Sequence, residues 1–271
     1  MQRILIVVAL IILVLLLAHL ISAWQFRQNA MTLVAKIETT GPVRMRQDLP
    51  EPVRAFNQRG LLGTDPAPGV IELTQVAEME LQPGQGWQGI SARQVICTTS
   101  TGFVWQAWQS RGPLTMVRVI DAFTAGKGVL EVRLLGSIRV GHEAGVLADR
   151  SEAMRYLAEL PWAPDAIALN RDVEWRVLES GEVEARLPMQ PDDAVVRFSL
   201  DAQSDFAVMR ANSRYAGMQD GAPVFKDWEG RFSDYAEIGG RRIPRRGEVG
   251  YVVDGKYQPY WRGHVIGLAR E

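Results

Sequence analysis

Fifteen apolar residues run without interruption from Ile4 to Ala18, and after His19 the apolar character resumes through Leu20, Ile21 and Ala23 to Trp24. A helix rises about 1.5 Å per residue, so roughly twenty such residues span a bilayer core of about 30 Å. The pattern predicts a transmembrane signal-anchor over residues 1–24. The competing reading is a cleaved secretory signal, whose apolar region holds about 7–15 residues and ends at a small-x-small site. Here the run extends nearly to Trp24 and offers only Ile21-Ser22-Ala23, which favours a helix that stays attached. A lipoprotein signal is excluded, because it needs a cysteine just after the apolar run and the single cysteine is Cys97.

Residues 25–68 read as a linker with one short helix. That helix is expected over 50–60, with Pro52 in its first turn and Gly60 at its C-cap, as a collar between membrane and domain. From residue 69 onward the period of the pattern falls to two. Leu130, Val132 and Leu134 alternate with Glu131 and Arg133; Val173, Trp175 and Val177 with Glu174 and Arg176; Val183, Ala185 and Leu187 with Glu184 and Arg186. Such alternation puts one face of a strand in a core and the other in water. Further strands are expected over 71–81, 90–98, 103–109, 114–123, 194–200, 206–213, 224–235, 248–253 and 257–268. Asp254-Gly255 is the strongest hairpin turn, followed by Ser180-Gly181 and Gly126-Lys127-Gly128.

One helix interrupts the strands, at about 149–160. Asp149 and Glu152 have the spacing of a capping box, Ala153, Tyr156, Leu157 and Leu160 share a face, and Pro161 and Pro164 end the helix or hold its exit. It separates about five strands from about six, and its apolar stripe fits the covering of a curved sheet. The expected fold is mainly β (α+β): an N-terminal transmembrane helix followed by an antiparallel half-barrel, residues 69–271, covered by a central helix.

Charge and composition narrow the function. The net charge of −1 provides no field to recruit nucleic acid, and a lone cysteine allows no intrachain disulfide. Cys97 reads as an apolar strand residue, with no basic partner nearby to activate it. Gly84-Gln85-Gly86-Trp87-Gln88-Gly89 has the letters of a dinucleotide fingerprint, but a strand follows instead of a helix, and Gln109 stands where an acid would meet the ribose. His19, His142 and His264 are scattered, and no zinc-hydrolase or nucleophile-elbow motif is present. No catalytic, metal or cofactor site is therefore expected. A pair assembled only by folding, such as His264 with Asp234 or Glu248, stays open.

Two features suggest binding. Arg241-Arg242-Ile243-Pro244-Arg245-Arg246 is either a phosphate-binding cluster, suited to lipid head groups, or a solvated arm whose arginines pair with acids such as Glu237 and Glu248. Seven tryptophans lie beyond the anchor, and those facing into a curved sheet would line an apolar groove. Trp105 and Trp108 have opposite parity, so one of them faces inward.

The order of motifs resembles a bacterial family known only as a domain of unknown function. The resemblance rests on Phe103-Val104-Trp105-Gln106-Ala107, Asp121 with Gly126 and Gly128, and the stretch from Arg155 to Pro164. It continues through Tyr235, Gly240, Ile243-Pro244, Glu248-Val249 and Tyr260-Trp261-Arg262-Gly263, and covers most of residues 40–268. It names no substrate. The last third, a tyrosine followed by Gly-Gly and a proline from Tyr235 to Pro244, looks distantly like lipoprotein carriers of the LolA and LolB type. That likeness implies a half-barrel with helices over its open face and a ligand groove beneath. This chain departs from those carriers in its protein anchor and in the mid-chain position of its helix.

The expected function is a membrane-anchored binding protein for a lipid-like or other apolar ligand at the bacterial cell envelope. Trp105, Trp162, Trp175 and Trp261 are the candidate apolar lining, and Arg242 and Arg245 the candidate head-group contacts. Two alternatives remain: an envelope enzyme built from Asp121, Glu159, Asp234, Glu248, His142 and His264, or an anchored protein-interaction module. Arg3 precedes the anchor while Arg27, Lys36 and Arg44 follow it, so basic residues alone do not set its orientation. A short tail before a long apolar run is how exported domains begin, which places the domain on the extracytoplasmic side of the inner membrane.

Overall fold

The N-terminal apolar run lies within one long helix, α1 (Gln2–Ala35), in a computed structural model that describes residues 1–37, 44–80, 84 and 86–270. Part of the linker (residues 38–43), Leu81 of the first expected strand and Gln85 of the glycine motif lie outside the described residues. Among the described residues α1 is the helix long and apolar enough to cross a membrane. Its two halves differ. Every side chain from Ile4 to Ala18 is exposed, whereas Ala23, Phe26, Ala30 and Leu33, spaced three and four apart, are buried. The helix therefore does not end near Trp24 but continues as a docked segment. Phe26, Ala30 and Leu33 pack on Val104, Ile120 and Ala122, and the guanidinium of Arg133 lies 4.7 Å from the Phe26 ring centre.

The strands are β1 (Val70–Met79), β2 (Gln88–Cys97), β3 (Phe103–Arg111), β4 (Leu114–Thr124), β5 (Lys127–Leu134) and β6 (Ile138–Ala144). After the central helices come β7 (Glu174–Val177), β8 (Val183–Leu187), β9 (Ala194–Leu200), β10 (Phe206–Gln219), β11 (Ala222–Ile238), β12 (Arg241–Val253) and β13 (Lys256–Arg270). They form one antiparallel sheet in the order β6-β5-β4-β3-β2-β1-β13-β12-β11-β10-β9-β8-β7. Two meanders are thus joined where the first and last strands pair, from Ile71↔Arg270 to Met79↔Trp261. The sheet is curled into a half-barrel. Its curl brings edge strand β6 to β10, where the Tyr215 hydroxyl donates to Glu143 Oε2 at 2.7 Å.

Antiparallel order places the β1–β2, β3–β4, β5–β6, β10–β11 and β12–β13 turns at one end, here called the hairpin end. α1 runs along the outer face, with Ile37 beside Gly102 at the opposite end and His19 at the β5–β6 turn. The exposed half of α1 therefore projects beyond the hairpin end.

The helices fill the concave side. α2 (Glu51–Leu61) has Pro52 in its first turn as expected, but it is no collar: Val53 and Phe56 are buried in the main core, and Phe56 meets Phe206 at 4.3 Å between ring centres. Leu62, in the left-handed region at φ 53°, caps it in place of Gly60. Gly60 serves close approach instead, since a Cβ there would lie 2.8 Å from Pro164. α3 (Val146–Ala158) starts before Asp149, after Gly145, and the expected capping box does not form. The Asp149 carboxylate instead accepts the Gly128 N–H at 2.8 Å and pairs with Lys127 at 3.0 Å. A 3₁₀ turn (Leu160–Trp162) and a short helix, α4 (Pro164–Leu169), follow. Pro164 opens that helix rather than merely holding an exit, as proline's missing N–H permits in a first turn.

Candidate functional site

Phe103-Val104-Trp105 does not alternate because both faces of β3 are covered. Val104 faces α1, while Phe103 and Trp105 face the concave core. On that concave side a cavity of about 960 Å³ lies between α3 and the hairpin end. Trp105, Trp162, Trp228, Trp261, Tyr251 and Tyr260 give it aromatic walls. Val117, Trp87, Lys226, Val253 and Tyr257 line it toward the hairpin end.

The aromatic wall is held by specific contacts. Trp162 meets Trp261 edge-on at 6.3 Å and donates its indole N–H to Pro244 O at 2.9 Å. Gly247 permits this packing, since a Cβ there would fall 2.7 Å from the Trp162 ring. Tyr251 stacks on Tyr260 at 5.1 Å, and the Trp228 indole donates to the Tyr260 hydroxyl at 3.0 Å.

Against α3 the cavity has a charged floor. Glu152, Arg155 and Glu159 come from the helix and its C-cap, Asp121 from β4 and Arg214 from β10. Arg155 bridges two acids, pairing with Asp121 and donating to Glu159 Oε1 at 2.9 Å, while its guanidinium lies 4.9 Å from the Trp105 ring centre. Arg214 pairs with Glu152 at 3.2 Å and stacks at 4.6 Å over Trp228. Gln75 accepts the Trp105 N–H at 2.9 Å and passes on through Gln94 to Glu159. Trp105 and Trp228 thus hold the two guanidiniums in place at the cavity floor.

Three carboxylates here face two guanidiniums, and among the described residues Asp121 Oδ1 and Glu152 Oε2 are buried without a donor. Burial, and then the neighbouring charge of Asp121, raises the Glu152 carboxyl well above its usual range. With one more acid than base in the cluster, the raised Glu152 carboxyl is the one that burial and the neighbouring Asp121 push toward its neutral form. Burial also raises Glu159, against the pull of Arg155. It works against the charges of Arg155 and Arg214 too, but the acids outweigh it and raise both.

Of the residues singled out from sequence, Trp105, Trp162 and Trp261 come together at this cavity. Trp175, Arg242 and Arg245 stand apart from it. Trp175 packs on Phe198 and Phe206, each at 6.2 Å. Arg242 is held by both oxygens of Asp205, at 2.8 and 2.6 Å, and Arg245 by Asp234 at 2.8 Å. The basic hexapeptide is largely the start of β12, and its acid partners are not Glu237 and Glu248. Asp121, Glu159 and Glu248 reach the cavity, but His142, His264 and Asp234 are exposed and do not line it. Sequence reading missed Glu152, Arg155 and Arg214 as site residues. A signal existed for the first two: Glu152, Arg155 and Glu159 form a charged row beside the apolar stripe of a helix that must face the sheet.

The fold and site define a curled antiparallel half-barrel with an internal aromatic cavity. The chain belongs to DUF6544, a family of unknown function whose model matches residues 42–263. No curated protein matches it. Among solved structures it is similar to a LolA superfamily protein from Nitrosomonas europaea, with 11% identity, a TM-score of 0.45, and coverage of 81% of this chain and 93% of that one. It is also similar to a protein from Vibrio parahaemolyticus described as an outer membrane lipoprotein-sorting domain, with 9% identity, a TM-score of 0.44, and coverage of 82% and 91%.

Proposed function

We propose that this protein is a single-span membrane protein of the bacterial envelope whose half-barrel binds a lipid-like or other apolar ligand in its cavity. The cavity itself carries the reading. Its volume of about 960 Å³ is at the upper end of the range for ligand pockets, roughly 300–1,000 Å³, and its walls are mainly aromatic and aliphatic. Trp105, Trp162 and Trp261 contact the apolar body of the ligand, while the floor around Arg155 and Arg214 offers polar groups to its head. The exposed apolar half of α1 supports membrane attachment, because no soluble surface leaves fifteen consecutive apolar residues in water. The domain lies on the extracytoplasmic side. A permanent anchor suits a tethered receiver or presenter of ligand better than a free shuttle.

The test uses the full chain in detergent with a fluorescent fatty acid as probe. Excitation of the cavity tryptophans is expected to give saturable energy transfer to the probe, reversed by unlabelled fatty acid. Absence of saturable transfer would count against the cavity as a binding site.

A further inference from the structure

The docked half of α1 fixes where a membrane would lie relative to the half-barrel. His19 Nδ1 is 2.6 Å from Ser137 Oγ, Ser22 Oγ donates to Ser137 O at 3.0 Å, and Arg133 donates to Ser22 O at 3.0 Å. The β5–β6 turn is thereby pinned to the helix just where the unbroken apolar run stops. Trp24, 59% exposed, stands at the same level, as tryptophans do at a membrane–water boundary.

The two hairpin tips nearest this junction are apolar and exposed. Leu135, Ile138 and Val140 are 45%, 55% and 55% exposed, and Leu114 at the β3–β4 tip is 62% exposed. Val117 pairs with Leu134, so Leu114, three residues earlier, extends about 10 Å beyond Leu134, the last residue of β5. Arg111 and Arg139 flank these tips and Arg118 and Arg27 lie behind them, and among the described residues none of the four has a carboxylate within ion-pair distance. Burial, and then the charge of Arg27, shifts Arg118 downward. The β10–β11 and β12–β13 turns, farther from α1 around the curl, carry Asp220 and Asp254 instead.

We infer that the β3–β4 and β5–β6 hairpin tips form a second membrane contact, seated in the surface of an anionic phospholipid bilayer. Leu114, Leu135, Ile138 and Val140 enter the acyl boundary, and the four arginines hold lipid phosphates. Apolar groups ringed by arginine match that surface in both hydrophobicity and charge. The more exposed part of the cavity lining, Lys226, Tyr257 and Gln258, lies toward the same end, so a ligand leaving the bilayer beside these hairpins has a short path to the cavity. This inference rests on α1 spanning the membrane.

The full chain carrying Leu10→Cys, Leu114→Cys, Ile138→Cys or Lys127→Cys, labelled with an environment-sensitive fluorophore, tests it; Cys97 is buried and stays in place. The variants are reconstituted into vesicles of phosphatidylethanolamine and phosphatidylglycerol that contain spin-labelled lipid quencher. Labels at 10, 114 and 138 are expected to be quenched severalfold more than the label at 127. Quenching at 10 but not at 114 or 138 overturns the hairpin contact and leaves the span standing. No quenching at 10 overturns both. In phosphatidylcholine alone, quenching at 114 and 138 is expected to fall; an unchanged value overturns the role given to the arginines.

Discussion

Arg241 meets Asp165 side on, with Nε to Oδ2 at 2.8 Å and Nη2 to Oδ1 at 2.7 Å, and both side chains are fully buried. The remaining guanidinium donors go to Thr64 Oγ1 at 2.7 Å, Gly240 O at 2.8 Å and Asp65 O at 3.1 Å, so the pair joins β12, α4 and the loop after α2. Removing one partner of a buried pair leaves an uncompensated charge, which costs about 3–5 kcal/mol. Asp165→Ala is therefore expected to lower stability by that amount in denaturant titrations of the full chain in detergent. Asp165→Leu combined with Arg241→Met should cost markedly less than either change alone, because no buried charge is left behind. Equal losses in single and double variants would show that the pair is not what joins these elements.

The Glu152–Asp121 contact makes a pH-dependent statement. A carboxyl raised on folding binds its proton more tightly in the native state, so its contribution is fully present below the unfolded value of 4.5 and is lost as pH rises through the folded value. The loss is at most about 1.4 kcal/mol per pH unit within that window. Glu152→Gln keeps the neutral hydrogen-bonding form, so its stability relative to the natural protein is expected to improve as pH increases above 4.5. Thermal unfolding of both proteins across that range checks this. A difference that does not change with pH would mean that Glu152 is ionised in the fold.

Filling the cavity should remove binding without removing the fold. Val119 and Val132 both line it, and tryptophan at either position occupies space that is otherwise open. Val132→Trp is expected to reduce fatty-acid uptake at least severalfold while the melting temperature stays near that of the natural protein. Undiminished uptake would place the ligand elsewhere.

Phe26 is the centre of the contact between α1 and the sheet, 4% exposed and covered by Arg133. Replacing a buried phenylalanine with alanine costs about 3–5 kcal/mol. Phe26→Ala should therefore release the second half of α1, read as faster amide exchange over residues 19–35 with little change in β1 or β13. Slow exchange in the variant would show that the docking does not depend on this side chain.

Most of the fold could be read from pattern. Leu130 and Val132 turn to the cavity as their alternation predicts, although Glu131 between them is buried with Arg133 rather than solvated and Leu134 is exposed, and the joined meanders follow from hairpin turns such as Asp254-Gly255. What could not be read is pairing at long range. Nothing local marks Arg241 as buried: its partner is supplied by Asp165, 76 residues earlier in the chain, and the arginines beside it look the same in sequence. The same reason hid the charged floor, since Asp121, Glu152 and Arg214 meet only once three separate elements close on one another. Trp105, Trp162 and Trp261 were more legible, because inward parity and aromatic size already mark a strand or helix that faces a core. β6 was missed because Ile138 and Val140 lie exposed on an edge strand and carry no inward alternation.

The account depends most on whether the cavity holds an apolar molecule when the protein leaves the cell. Native mass spectrometry of the full chain, purified in a mild detergent and followed by extraction and lipid analysis, measures this directly. A stoichiometric co-purified lipid, lost or strongly reduced in Val132→Trp, is the expected result. Protein that arrives empty, or that carries the same lipid at the same level in Val132→Trp, would contradict the assignment.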